Sequence, residues 1–271
     1  MTSLLDLDPL LIAEISANHD QSYEQLLQLI DLSAASGWNC IKLQTYSADS
    51  LTIPSNHPSM TVGKEWGENN LYKLYQKAAM PMDFHQIALE KIHDLSLHAL
   101  TSIYDPRDLD FVEKLTFQAY KIASFELTYL DLLRAVAQTN KSIIISTGMA
   151  NHEEIEAALD CIKTENQNAR IMIMHCVSSY PTPEHQANLN CIDTLKKMFN
   201  CEIGYSDHTE GSYSAILAYA KGAKAIEKHI TNDKNRVGPD HRFSAEPQTL
   251  KEISEGIKNV NLMLGDGVLE T

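Results

Sequence analysis

Residues 203–229 read IGYSDHTEGSYSAILAYAKGAKAIEKH. Two short β-like runs, each closed by a histidine (His208 and His229), flank one stretch of helical apolar spacing. If the runs are neighbouring parallel strands, both imidazoles stand at the C-terminal edge of one sheet. Imidazole is a favoured ligand of divalent ions, and adjacent strand ends can converge on one ion. The spacing equally fits two unrelated histidines, one capping a strand and one satisfied by hydrogen bonds, because two ligands do not make a site.

Outward from this stretch the same β-then-α unit recurs. Apolar runs stand at 10–17, 40–45, 98–102, 119–124, 142–147 and 170–176, and helical spacing follows each. Helices are expected over 22–36, 71–79, 83–95, 105–115, 129–139, 188–199, 211–221 and 249–264, with Asn151 capping one that runs to Lys163. Residues 202–204 open strand seven, and strand eight is expected at 224–230. The span Tyr46–Asn70, with Pro54, Pro58, Gly63 and Gly67, reads as a functional loop. Eight βα units in 271 residues predict a closed (β/α)8 TIM barrel, an α/β fold in a single domain, over an open doubly wound sheet. No Gly-x-Gly-x-x-Gly follows a strand, which weighs against a Rossmann fold.

A net charge of −14 argues against a nucleic-acid surface, so an anionic substrate needs local lysines, helix N-termini or a metal. Five cysteines without a Cys-x-x-Cys pair suggest reduced thiols and a cytoplasmic location. The N-terminus lacks the marks of a signal peptide, and no apolar run approaches a membrane span.

In a barrel the active site is built at the strand C-termini. Those ends carry Glu14, Lys42, Gln44, Ser102, Lys121, Ser124, Glu126, Ser146, Ser178, Tyr180, Ser206, Asp207, His208 and His229. Lys42 and Lys121 lie in apolar strands, where a lysine is costly unless it pairs or binds an anion; snorkelling to the rim is the plain alternative. Lys121 could instead be a Schiff-base nucleophile. The serines suit phosphate or carboxylate oxygens as a set, although each alone is a common strand-end cap. Glu14 and Glu126 are acid–base candidates, and Asp207 a candidate support for His208. Asp240, in the turn Gly238-Pro239-Asp240-His241 after strand eight, falls on the same face and is a metal or substrate candidate. The histidines at 57, 85, 93, 98, 152 and 185 lie away from the strand ends.

The ordered motifs IAEISANH (12–19), IKLQTY (41–46), YKIASFE (120–126), STGMA (146–150), HCVSSYPTP (175–183), YSDHT (205–209), IEKHIT (226–231) and GPDH (238–241) resemble those of the sialic acid (nonulosonic acid) synthases. The likeness runs from about Leu11 to Gly267. It implies a (β/α)8 barrel that condenses phosphoenolpyruvate with an N-acetylated amino sugar and releases phosphate. It implies a divalent ion (Mn2+ or Mg2+) on His208 and His229. It implies phosphoenolpyruvate contacts from Lys42, Ser102, Lys121, Ser124, Ser146 and Ser178, the last standing where some relatives have asparagine. Gln44, Tyr180, Ser206 and Asp240 would lie towards the substrates, and Glu14 and Glu126 at the reacting centre, with Glu126 activating water. Relatives usually carry a small antifreeze-like domain that reaches the partner subunit's active site. This sequence stops at Thr271, just after LGDGVLE (264–270), so a barrel without that domain is expected, with a homodimer as the assembly. Residues 71–85 resemble pseudaminic acid synthases, whereas 238–247 resemble the N-acetylneuraminate and legionaminic acid synthases. Two other classes compete: a Schiff-base aldolase using Lys121, and a non-catalytic barrel that binds ligand without turnover.

Overall fold

The computed structural model of the chain describes residues 3–63, 66, 68–265 and 267–268. Its elements in order are β1 (Leu10–Glu14), α1 (Tyr23–Ala35), β2 (Cys40–Thr45), α2 (Ala48–Leu51), α3 (Leu71–Ala78), α4 (Met82–Asp94), β3 (His98–Ile103), α5 (Leu109–Val112), β4 (Ala119–Ile122) and α6 (Leu130–Gln138). The second half continues with β5 (Ser142–Ser146), α7 (His152–Glu165), β6 (Ile171–Cys176), α8 (Cys191–Met198), β7 (Glu202–Asp207), α9 (Tyr213–Ala220), β8 (Ala225–His229) and α10 (Pro247–Leu264). The eight strands pair in sequence order, all parallel, and β8 closes on β1, so the expected barrel is the fold.

Strand period explains how the barrel is filled. Alternate side chains face opposite sides of a strand. Leu10, Ile12, Cys40, Leu100, Ala119, Ile144, Met172, Met174 and Ala225 form the apolar plug inside the barrel, and Leu4 and Leu5 pack against it. Two residues further along several of these strands the same inward parity presents polar groups: Glu14, Lys42, Ser102, Lys121, Ser146 and Glu227. The opposite parity (Leu11, Ala13, Ile41, Leu43, Ile143, Ile145, Ile173, Tyr205, Ile226) packs under the helices, whose apolar stripes supply Leu26, Leu29, Ile30, Leu132, Val136, Ile162, Ile253 and Ile257. The site is thus a polar storey built directly on a dry one.

Helix ends follow local chemistry. Ser22 caps α1 by accepting from the Gln25 N–H, and Asn151 caps α7 in a reciprocal capping box with Glu154. Several boundaries differ from the sequence reading. β1 stops at Glu14 and β4 at Ile122, because the chain turns into the 3-10 segments Ser16–His19 and Ser124–Glu126. The helix expected at 105–115 is a 3-10 turn (Pro106–Asp108) followed by the four-residue α5, since Asp105 spends its side chain capping the turn at Arg107. The Tyr46–Asn70 loop holds α2 and a 3-10 turn (Pro58–Met60), and is clipped by the bridge Thr61–Asn70; Gly67 lies outside the described residues. No helix among the described residues is long and apolar enough to cross a membrane.

Candidate active site

A cavity of about 530 Å³ opens at the C-terminal face of the barrel. Of the residues singled out in the sequence, Lys42, Gln44, Lys121, Ser124, Glu126, Ser146, Tyr180, Ser206, His208, His229 and Asp240 line it. Glu14, Ser102 and Ser178 do not. Glu14 is fully buried beneath the floor, where its carboxylate takes Lys42 Nζ at 2.9 Å and Gln44 Nε2 at 2.9 Å. The structure therefore places Glu14 against the floor side chains rather than in the cavity wall. Ser102 is fully buried, and among the described residues neither its Oγ nor that of Ser178 has a hydrogen-bond partner.

The floor contains a residue that the sequence reading passed over. Glu227, buried in β8, lies 2.9 Å from Lys42 Nζ and 3.6 Å from Lys121 Nζ, and accepts from Ser206 Oγ at 3.0 Å. Burial alone would push its carboxyl up, but Lys121, Lys42 and Ser206 hold it well below the ordinary carboxylate range. Desolvation lowers Lys42 to about 8 against the opposing pull of Glu227. Lys121 Nζ donates to Ser146 Oγ at 2.6 Å. Both lysines are paired, as their place in apolar strands requires: two ammonium groups meet two carboxylates, and the floor is a balanced network. The signal was parity, since Glu227 precedes His229 by two residues and must share its face.

Beside the lysines, β5 and β6 converge on Gly148. Its N–H donates to Ser124 Oγ at 3.0 Å, and Ser124 Oγ lies 3.3 Å from Cys176 Sγ. A Cβ at Gly148 would come within 2.5 Å of Ser178 Oγ and 2.7 Å of Cys176 Sγ, so only glycine leaves room for this group of hydroxyls and thiol. Glu126, on the 3-10 turn after β4, has one carboxylate oxygen buried without a partner. Desolvation pushes its carboxyl up to about 7, only partly offset by the Glu126 backbone and Lys121.

Across the cavity the His208 and His229 rings face each other, with centroids 5.6 Å apart and planes at 60°. His208 Nδ1 lies 2.9 Å from the Val177 carbonyl, which fixes the proton there and leaves Nε2 with a lone pair. His229 Nδ1 is buried without a partner. Desolvation lowers both rings, His208 to about 4, so both are neutral donors at neutral pH. Tyr180 tilts against His208 at 4.2 Å, and Phe243 covers His229 at 5.1 Å. Among the described residues no group of three or more His, Cys, Asp or Glu side chains forms a metal-ligand set. Two neutral, convergent imidazoles with free nitrogens fit a divalent ion whose other positions are taken by water or substrate.

Asp207 does not support His208. Its odd parity turns it outward, where it pairs with Lys228 Nζ at 2.6 Å and accepts from Thr209 N–H and Oγ1. The carbonyl of Val177 takes the supporting role instead. Leu51, Val62, Leu71, Leu74 and Ala78 also line the cavity, together with Tyr46, Trp66 and Tyr75.

A closed (β/α)8 barrel that gathers paired lysines, clustered hydroxyls and two imidazoles at its C-terminal face has the build of a barrel enzyme. Residues 29–269 match the NeuB family. The chain is 38% identical over 259 residues to a pseudaminic acid synthase of Helicobacter pylori, covering 95% of this chain and 76% of that protein. It is 34% identical over 261 residues to an N,N'-diacetyllegionaminic acid synthase of Campylobacter jejuni, covering 96% and 78%. Among solved structures, an N-acetylneuraminic acid synthetase from Leptospira borgpetersenii superposes with a TM-score of 0.87 at 31% identity, over 97% of this chain and 87% of that one. The chain belongs to the NeuB family, the sialic acid synthases, as its ordered motifs imply.

Proposed function

We propose that this chain condenses phosphoenolpyruvate with a 2,4-diacetamido-2,4,6-trideoxyhexose and water, giving a nonulosonic acid and phosphate. The observation that carries the reading is the polarity of the cavity. Its floor offers Lys42, Lys121 and the hydroxyls around Gly148, a donor set suited to a phosphate and a carboxylate. Leu51, Val62, Leu71, Leu74 and Ala78 add apolar lining suited to acetamido and deoxy methyl groups, with Tyr46, Tyr75 and Tyr104 among the other lining residues. The names of the relatives support the same class of product.

His208 and His229 would hold Mn2+ or Mg2+, which when bound supplies Lewis acidity toward a carbonyl oxygen. The remaining chemistry falls to the chain. Lys42 and Lys121 orient the enol phosphate, so that its C3 faces the open-chain aldehyde carbon and forms the new bond. Positive charge grows at C2, and water adds there. Glu126, whose carboxyl titrates near neutrality, takes the proton from that water. The C2 hydroxyl then passes its proton to the departing phosphate as the C2–O bond breaks, leaving a 2-keto acid, and the proton taken up by Glu126 is returned to the aldehyde oxygen, which ends as a hydroxyl. Lys121 Nζ is engaged as a donor to Ser146 and beside Glu227, which disfavours its use as the free amine of a Schiff base.

The test is phosphate release from phosphoenolpyruvate with Mn2+, offered N-acetylmannosamine and the two 2,4-diacetamido-trideoxyhexoses that lead to pseudaminic and legionaminic acids. Release with a diacetamido sugar, abolished by EDTA and by His208→Ala, is expected. Release with N-acetylmannosamine alone would overturn the choice of sugar, and no release with any of them would overturn the synthase.

A further inference from the structure

Ser16 adopts a backbone conformation that its side chain disfavours. Its φ is 49°, in the left-handed region where a Cβ crowds the backbone and glycine is at ease. It is not an exposed loop tip: Ser16 is 5% exposed and lines the cavity. Glycine would remove the strain, so the hydroxyl is what distinguishes serine here. An observed backbone outlier at a cavity points from strain to function.

The hydroxyl has two partners. It donates to Asp240 Oδ2, and its oxygen accepts from Gln44 Nε2 at 3.1 Å. Gln44 Nε2 also donates to Glu14 Oε1 at 2.9 Å, so a continuous polar chain runs Glu14–Gln44–Ser16–Asp240, from the barrel floor to the loop after β8. The backbone on either side of Asp240 is fastened independently. Asp20 Oδ2 accepts from Arg236 Nε at 2.9 Å, Asp20 Oδ1 lies 2.9 Å from His241 Nε2, and Asn18 Nδ2 donates to the Ile230 carbonyl at 2.7 Å and to Ser244 Oγ at 2.8 Å. Those contacts place the loop but leave the carboxylate free to rotate. Among the described residues its hydrogen-bond donors are the Ser16 hydroxyl and, at 3.4 Å, the Ala17 N–H.

We infer that Ser16 is a positioning residue for sugar recognition: its left-handed backbone delivers a hydroxyl that fixes the Asp240 carboxylate toward the sugar while tying it to Gln44. The inference rests on the synthase reading, in which Asp240 meets the sugar. It separates the needs of the fold from those of the site, because the fold alone would prefer glycine.

The test compares Ser16→Gly and Ser16→Ala with wild type, by thermal melting and by KM for phosphoenolpyruvate and for the sugar that the wild type accepts. Ser16→Gly is expected to melt at or above the wild-type temperature, since it relieves the backbone, yet to raise the sugar KM about tenfold, a loss of about 1.4 kcal/mol. The KM for phosphoenolpyruvate should stay within about twofold. Ser16→Ala should share the kinetic defect and melt below Ser16→Gly. In an Asp240→Asn background, Ser16→Gly should add no further loss, because the two act as one unit. A sugar KM within about twofold of wild type in Ser16→Gly, or effects of Ser16→Gly and Asp240→Asn that simply multiply, would overturn the positioning role. So would a Ser16→Gly protein that melts lower and loses both substrates equally. A wild type that neither turns over nor binds any of the sugars overturns the synthase reading and this inference with it, whereas a working wild type with an unaffected Ser16→Gly overturns this inference alone.

Discussion

Lys42 Nζ lies 2.9 Å from Glu227 Oε1, and the same oxygen accepts from Ser206 and lies 3.6 Å from Lys121 Nζ. One carboxylate oxygen therefore serves three neighbours in a buried network. Glu227→Gln keeps the shape and removes the charge, which leaves two buried ammonium groups with Glu14 alone. Removing one partner of a buried pair costs about 3–5 kcal/mol. At about 2–4 °C per kcal/mol for a domain of this size, the melting temperature should fall by roughly 10 °C. A melt unchanged within about 2 °C would show that Glu227 does not hold the floor together.

Glu126 sets a pH dependence. Its carboxyl is raised by desolvation to about 7, so below that pH the group carries a proton and cannot accept one from water. Turnover should decline on the acid side of pH 7, and Glu126→Gln should abolish both turnover and that limb. Stability moves the other way. A carboxyl raised from 4.5 favours the folded state most fully below pH 4.5, and that contribution disappears as pH rises through 7. Melting curves of wild type and Glu126→Gln across pH 4 to 8 should converge at the acid end and separate toward neutrality, with the variant the more stable.

Gly148→Ala tests the hydroxyl cradle. The new Cβ would sit 2.5 Å from Ser178 Oγ and 2.7 Å from Cys176 Sγ, distances that force both side chains away. Because the clash meets side chains at the cavity rather than the core, we expect a loss of phosphoenolpyruvate affinity of about tenfold or more with a melting temperature lowered only slightly. Calorimetric titration with phosphoenolpyruvate checks it, and wild-type affinity would show the cradle to be dispensable.

Lys228 and Asp207 pair at 2.6 Å behind the two histidines, both side chains nearly inaccessible. Lys228→Met alone strands a buried carboxylate and should cost about 3–5 kcal/mol. Lys228→Met combined with Asp207→Asn should recover much of that, since the uncompensated charge is gone. Denaturant titrations of both variants give the answer, and equal losses in the two would point to packing rather than charge.

Periodicity made the barrel legible. Each apolar run was short, each was followed by a helical pattern, and polar residues stood at the run ends. The same rule located the histidines and both lysines. It would also have located Glu227 and excluded Asp207 as a partner of His208, had parity been carried along β7 and β8 residue by residue. In IEKHI nothing local says that the lysines at 42 and 121 are waiting opposite Glu227. Contacts across the barrel axis, such as Lys121 on β4 with Glu227 on β8, depend on strand register and curvature. The hydroxyl that Ser16 carries on its left-handed backbone meets a partner 224 residues away. Neither has a local signature.

The ring of strands closes through β8 against β1, with Leu10 beside Ala225 and Glu14 beside His229. A chain emerging from the ribosome thus makes Lys42 and Lys121 long before the carboxylate of Glu227 exists to neutralise them. The catalytic floor cannot mature stepwise with the growing polypeptide. It must assemble late and cooperatively, once the last strand docks, so contacts distant in sequence should limit the folding rate. A nascent chain arrested before residue 225 would carry seven of the eight strands and lack both Glu227 and His229.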